Sequence, residues 1–129
     1  MLIFVYGTLK RGCCNHHLLD TSQFVDEGST LDLHSLYLGP DIKNPDGPDI
    51  PYLFTEPNPG DPACKVWGEV WEVTHATLEK LDELEGTPDW YRREKTSVRL
   101  SSGQPLEVYT YLCPRKPMDT LRLIKSGRF

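Results

Sequence analysis

Seven of the eleven prolines in this 129-residue chain fall between positions 39 and 62, in company with Gly39, Gly47 and Gly60. Proline has no amide hydrogen to donate and its ring clashes with a preceding helical turn, so most of this stretch can be neither helix nor central strand. The ordered framework must come from the segments on either side. Loops of this length are usually functional or mobile. Within it, Pro51-Tyr52-Leu53-Phe54 is an apolar island suited to a short edge strand or a flap over a pocket.

Upstream, Leu2-Ile3-Phe4-Val5-Tyr6 is β-branched and aromatic and reads as a strand buried on both faces. Gly7 then allows a turn where a Cβ would obstruct one, in the run Val5-Tyr6-Gly7-Thr8-Leu9-Lys10-Arg11-Gly12. Such a turn can aim consecutive N–H groups at an anion or a carbonyl oxygen. The same residues also suit an ordinary first strand and its loop. Asn15 is placed to cap a short helix over His16 to Leu19. Gly28 separates that helix from Leu31-Asp32-Leu33-His34, which alternates as a half-buried strand does, and a bulge at Ser35 would carry the apolar face on to Leu36 and Leu38.

From Lys65 to Val73 the sequence alternates again, with Trp67, Glu69, Trp71 and Val73 on one face and Val66, Gly68, Val70 and Glu72 on the other. Gly68 marks a bulge or a close approach of another segment. A helix follows from near His75, with Thr74 as its N-cap, Val73 stapled onto Leu78, Gly86 as a left-handed C-terminal cap and Pro88 preventing continuation. At about 100° per residue, Leu78, Leu81 and Leu84 form one stripe. Glu85 falls on that stripe, Asp82 at its boundary, and Glu79 and Glu83 on the solvated side. A carboxylate aimed inward at the last turn opposes the helix dipole, so either Glu85 serves a purpose there or the terminal turn frays and releases it to water. Two further strands are expected, over Trp90 to Leu100 and Leu106 to Cys113, joined by a turn at Ser101-Ser102-Gly103. Leu121 to Ile124 would cross back over the body.

Length and charge narrow the function classes. A chain of this size forms one domain, here residues 1–129, and buries roughly two thirds of its unfolded surface. It is 38% hydrophobic and 26% charged, with a formal net charge of -5, which argues against nucleic acid as its partner. The five-residue apolar run after Met1 is too short for a membrane span and has no basic residues before it, so no membrane partner and a cytoplasmic location are expected. The four cysteines, at 13, 14, 64 and 113, show no metal-ligand spacing, and no metal or other cofactor is expected. His16, His17 and Asp20 read as an exposed polar turn. Cys13 or Cys14 with a histidine nearby would suit a thiol nucleophile, but a free cysteine acting as a small hydrophobe is the simpler reading.

Tyr6-Gly7-Thr8-Leu9 at the end of a first strand, followed later by Leu81-Asp82-Glu83-Leu84-Glu85-Gly86 leading into Trp90-Tyr91-Arg92-Arg93, resembles the γ-glutamylcyclotransferase-like family. Within it the likeness is to the γ-glutamylamine cyclotransferase branch and the short bacterial proteins related to it. Glu69-Val70-Trp71-Glu72 resembles the strand before the catalytic helix of that family. The likeness is carried by residues 2 to 12 and 67 to 93, and is faint in the proline-rich middle and the tail.

The resemblance implies an α+β fold, a compact mixed β-barrel with a few short helices, holding a pocket between the first turn and the acidic helix. It implies a small-molecule γ-glutamyl substrate whose own α-amine attacks the γ-carbonyl, giving 5-oxoproline and a free amine. Glu85 matches the family's general acid/base, and Tyr6, Gly7, Thr8 and Leu9 match the loop that holds the γ-glutamyl group. Tyr91 matches the tyrosine that follows the glutamate, and as a binding residue it would supply a phenol to the pocket. A carboxylate among apolar side chains is a stronger base than one in water, and no covalent adduct is needed when nucleophile and electrophile share one molecule. Lys10 and Arg11 either attract an anionic substrate or form a solvated loop. The rival readings are a binding module for a small γ-glutamyl-like or anionic ligand, and a thiol hydrolase. The amine portion of the substrate and the oligomeric state are not legible.

Overall fold

The structure is a computed structural model describing residues 1–41, 46–55, 59–87, 91–114 and 121–129. Its centre is a closed five-stranded barrel built from β1 (Leu2–Val5), β2 (Gln23–Thr30), β5 (Trp67–Glu72), β6 (Arg92–Leu100) and β7 (Pro105–Leu112), in the order β1-β5-β2-β6-β7. All neighbours are antiparallel except the closing pair, where Ile3 meets Tyr109 in parallel. The barrel is thus mixed, as the resemblance implied. A smaller sheet of β3 (Leu36–Gly39), β4 (Ile50–Leu53) and β8 (Arg122–Leu123) runs in the order β4-β3-β8. The amide of Cys113 donates to the Leu53 carbonyl at 2.7 Å, tying the small sheet to the end of β7.

Alternation along the strands sorts the core into two layers. Phe4, Val70, Val98, Val108 and Leu112 form one buried cluster, with residues drawn from β1, β5, β6 and β7. Ile3, Val5, Trp71 and Tyr111, on the opposite faces of their strands, pack with Leu78 and Leu81 of α1 (His75–Glu85). The helix begins where Thr74 accepts a hydrogen bond from the Thr77 amide and ends at Gly86, whose φ of 66° is the left-handed conformation a glycine cap provides. Pro88 and Trp90 lie outside the described residues.

Three expectations about the first third are corrected. Gly28 does not separate elements but sits inside β2, opposite Gly68 of β5. A Cβ at Gly28 would come within 2.7 Å of the Arg99 carbonyl oxygen, and one at Gly68 within 2.3 Å of the Val5 carbonyl oxygen, so both glycines permit close approach of neighbouring strands. Leu31 to Leu33 form no strand and are exposed, while His34 makes only an isolated bridge to Cys64. The register shift expected at Ser35 occurs instead between Phe24 and Asp26. The alternation of Leu31 to His34 thus reflects a connection out of the barrel, not a sheet face.

His16–Leu19 is a single 3-10 turn. Asn15 precedes it without a side-chain cap; its side-chain amide donates to the Thr8 hydroxyl at 3.0 Å. The Pro51 island is edge strand β4 of the small sheet. No helix among the described residues is long and apolar enough to cross a membrane.

Candidate active site

β1 ends at Val5, and the chain turns through Tyr6, Gly7, Thr8 and Leu9 against β4. A Cβ on Gly7 would meet Pro51 Cγ at 2.7 Å, so the glycine is required by the packing of the small sheet onto the turn. The carbonyls of the turn are engaged: Gly7 accepts from the Lys10 amide, Thr8 from the Asn15 amide, and Leu9 lies 3.0 Å from His16 Nδ1. Among the described residues, the N–H groups of Gly7, Thr8 and Leu9 donate to no protein acceptor. A turn built this way offers donors and withholds acceptors.

The far end of the turn is anchored by Glu69. This largely buried carboxylate accepts from the Arg11 amide at 3.0 Å, from Arg11 Nε at 3.1 Å and from Trp71 Nε1 at 3.2 Å. Burial alone would raise the pKa of Glu69; the Arg11 and Trp71 contacts outweigh it and hold the carboxyl below the ordinary value. Lys10 and Arg11 turn toward other partners, Lys10 to the Phe129 carbonyl and Arg11 to Glu69 and Glu27.

A pocket of about 50 Å³ opens beside the turn, lined by Phe4, Val5, Tyr6, Gly7, Thr8, Leu9, Ile50, Pro51, Glu85, Tyr91 and Tyr111. Glu85, Tyr91 and the turn residues Tyr6, Gly7, Thr8 and Leu9 therefore line one cavity. Glu85 lies half-buried at the last turn of α1, as the helical projection placed it, while Glu79 and Glu83 face solvent. Cys13 and Cys14 do not line the pocket.

The three pocket tyrosines form its walls. The Tyr6 hydroxyl donates to the Tyr111 carbonyl at 2.6 Å, and that of Tyr91 to the Pro51 carbonyl at 3.5 Å. Burial, with the Glu85 charge adding to it, raises the pKa of both well above the ordinary phenol value. Tyr111 is raised too, first by burial and then by its hydrogen bond to Asp82. All three stay neutral at physiological pH.

Tyr111 and Ile50 were not singled out beforehand, while Pro51 opens the island suited to an edge strand or a flap over a pocket and does line that pocket. The signal for Tyr111 was its place opposite Leu112 on β7, which shows a face but not that α1 covers it. Nothing in the sequence brings Ile50 or Pro51 to the first turn, because that contact depends on how a second sheet docks.

The sequence profile of the gamma-glutamyl cyclotransferase, AIG2-like family matches residues 3–129. The chain belongs to this family. It is an enzyme of the γ-glutamylcyclotransferase type, and the family places its substrate among small γ-glutamyl compounds. It is similar to the gamma-glutamylaminecyclotransferase of Bos taurus, 34% identical over 127 residues that cover 94% of this chain and 70% of the bovine one. Among solved structures it resembles the AIG2-like protein of Mus musculus, at 33% identity and a TM-score of 0.68, covering 86% of this chain and 75% of the mouse one. An uncharacterized protein of Pyrococcus horikoshii has the same TM-score at 26% identity, covering 100% and 89%. The barrel described above is the fold of this family.

Proposed function

We propose that the enzyme converts a γ-glutamyl amine or peptide into 5-oxoproline and a free amine, with Glu85 as general acid and base. The observation that carries this reading is that Glu85 and the donor turn at Tyr6 to Leu9 line the same small cavity. The substrate's α-amine is an ammonium ion at neutral pH and must lose a proton before it can attack. Glu85 takes that proton. The amine nitrogen then bonds to the γ-carbonyl carbon, closing a five-membered ring and placing negative charge on the carbonyl oxygen.

The N–H groups of Gly7, Thr8 and Leu9 supply donors for that oxygen or for the substrate carboxylate, ready-oriented by the bonds on their carbonyls. When the tetrahedral adduct collapses, the ring nitrogen gives up its second proton to solvent, the bond to the leaving nitrogen breaks and Glu85 returns its proton to the departing amine. Tyr6 and Tyr91, neutral and anchored by their hydrogen bonds, hold the walls that keep the glutamyl chain folded on itself, which is most of what an intramolecular reaction requires. The bovine relative's name favours an amine leaving group, which would exit past Ile50 and Pro51 of β4.

The reading is tested by incubating the protein with a panel of γ-glutamyl amines and γ-glutamyl peptides and assaying 5-oxoproline. Release of free glutamate instead would indicate a hydrolase, and saturable binding without any product would indicate a binding module.

A further inference from the structure

Tyr111 reaches from β7 to α1, where its hydroxyl donates to Asp82 Oδ1 at 2.7 Å. The other Asp82 oxygen is ion-paired with Arg93 Nη1 on β6. Both charged side chains are about a quarter exposed, 27% for Asp82 and 28% for Arg93, so the pair is held between the strands and the helix and not out in solvent. A phenol has a single proton to give, and an ionised carboxylate can only accept. Arg93 can only donate, so its pairing with one Asp82 oxygen leaves the other to accept the Tyr111 proton.

We infer that Asp82 and Arg93 are positioning residues that keep the Tyr111 proton turned away from the pocket, so that Tyr111 offers an acceptor to the α-ammonium group of the substrate. This rests on the reading of the pocket as a γ-glutamyl site and gives that site a polarity. The turn at Gly7 to Leu9 forms a donor wall for oxygen. Tyr111 and Glu85 form an acceptor wall for the cationic end. A zwitterionic glutamyl head fits in one direction only, with its amine on the α1 side, beside the base.

The isosteric change Asp82→Asn tests this directly. Arg93 has no acceptor, so the carboxamide must turn its oxygen toward Arg93 and its NH2 toward Tyr111, which forces the Tyr111 proton to point into the pocket instead. The readout is the ratio of affinities for L-glutamate and glutarate, which differ by the α-ammonium group alone, measured by calorimetric titration. The wild-type protein should favour L-glutamate by roughly tenfold or more, the range of a hydrogen bond to a charged group. Asp82→Asn should lower that ratio by roughly tenfold, leaving only what Glu85 contributes. Tyr111→Phe, which keeps the ring packing, should lower the ratio too, and adding Asp82→Asn to it should change nothing further.

A ratio retained in Asp82→Asn, a further drop in the double variant, or a wild-type protein that binds neither ligand or does not discriminate would overturn the inference. If Asp82→Asn does not fold, an unchanged ratio in Tyr111→Phe overturns it equally. The titration needs no turnover, so a discriminating protein that makes no 5-oxoproline would sink the cyclotransferase reading and leave this one standing.

Discussion

The Tyr6 hydroxyl donates to the main-chain carbonyl of Tyr111 across 2.6 Å of buried space, joining the residue after β1 to the end of strand β7. Tyr6 is 7% exposed, so no water replaces the bond if it is lost. Tyr6→Phe should therefore cost about 1–3 kcal/mol, the usual penalty for a buried bond left half-made. Urea denaturation of the two proteins measures it. A variant as stable as the wild type would show that the bond contributes nothing.

Alkaline titration probes the same wall. Tyr6, Tyr91 and Tyr111 all have pKa values raised by burial above the ordinary 10.0, so the folded state holds these protons more tightly than the unfolded chain. Their contribution is complete below about pH 10 and is lost as pH rises above it. Three of the six tyrosines should thus ionise only when the protein unfolds. Phenolate absorbance from more than three while the circular dichroism remains native would contradict the assignment.

Gly7→Ala places a methyl 2.7 Å from a proline ring that cannot swing aside. Overpacking of this kind costs about 1–3 kcal/mol. Because the displaced group is the turn itself, KM for any substrate should rise along with the loss of stability. Thermal unfolding and steady-state kinetics on the same sample would show both effects, and a normal KM would place the turn outside the substrate site.

Glu69→Gln removes the charge that anchors the turn through Arg11. The folded-state pKa of Glu69 is depressed, so its stabilising effect is present above about pH 4.5 and fades as pH falls through the lower folded value. The stability gap between wild type and Glu69→Gln should be larger at pH 7 than at pH 3.5. Urea titrations at the two pH values decide it, and a gap that widens in acid would reverse the sign.

Much of this architecture could be read from local pattern. The helix was legible because Thr74, the Leu78-Leu81-Leu84 stripe and Gly86 each mark it independently. Glu85 was placed on the inward stripe by periodicity alone, and Asp82 at its boundary. Leu31 to His34 misled because a period of two needs a pairing partner to become a strand, and their neighbours belong to the barrel exit. β2 was hidden by the opposite fault: Gly28 looks like a breaker until Gly68 is set against it, a pairing forty residues apart. The Asp82-Arg93-Tyr111 cluster joins three consecutive elements, α1, β6 and β7, but it depends on how the helix packs across the two strands, which no local pattern carries.

The central claim is that Glu85 moves the protons of a cyclisation. Glu85→Gln keeps the shape of the side chain and removes its basicity. Assayed on a γ-glutamyl amine that the wild type converts, it should form 5-oxoproline roughly 10²- to 10⁴-fold more slowly while unfolding at nearly the same urea concentration. A Glu85→Gln protein that turns over at close to the wild-type rate would contradict the account.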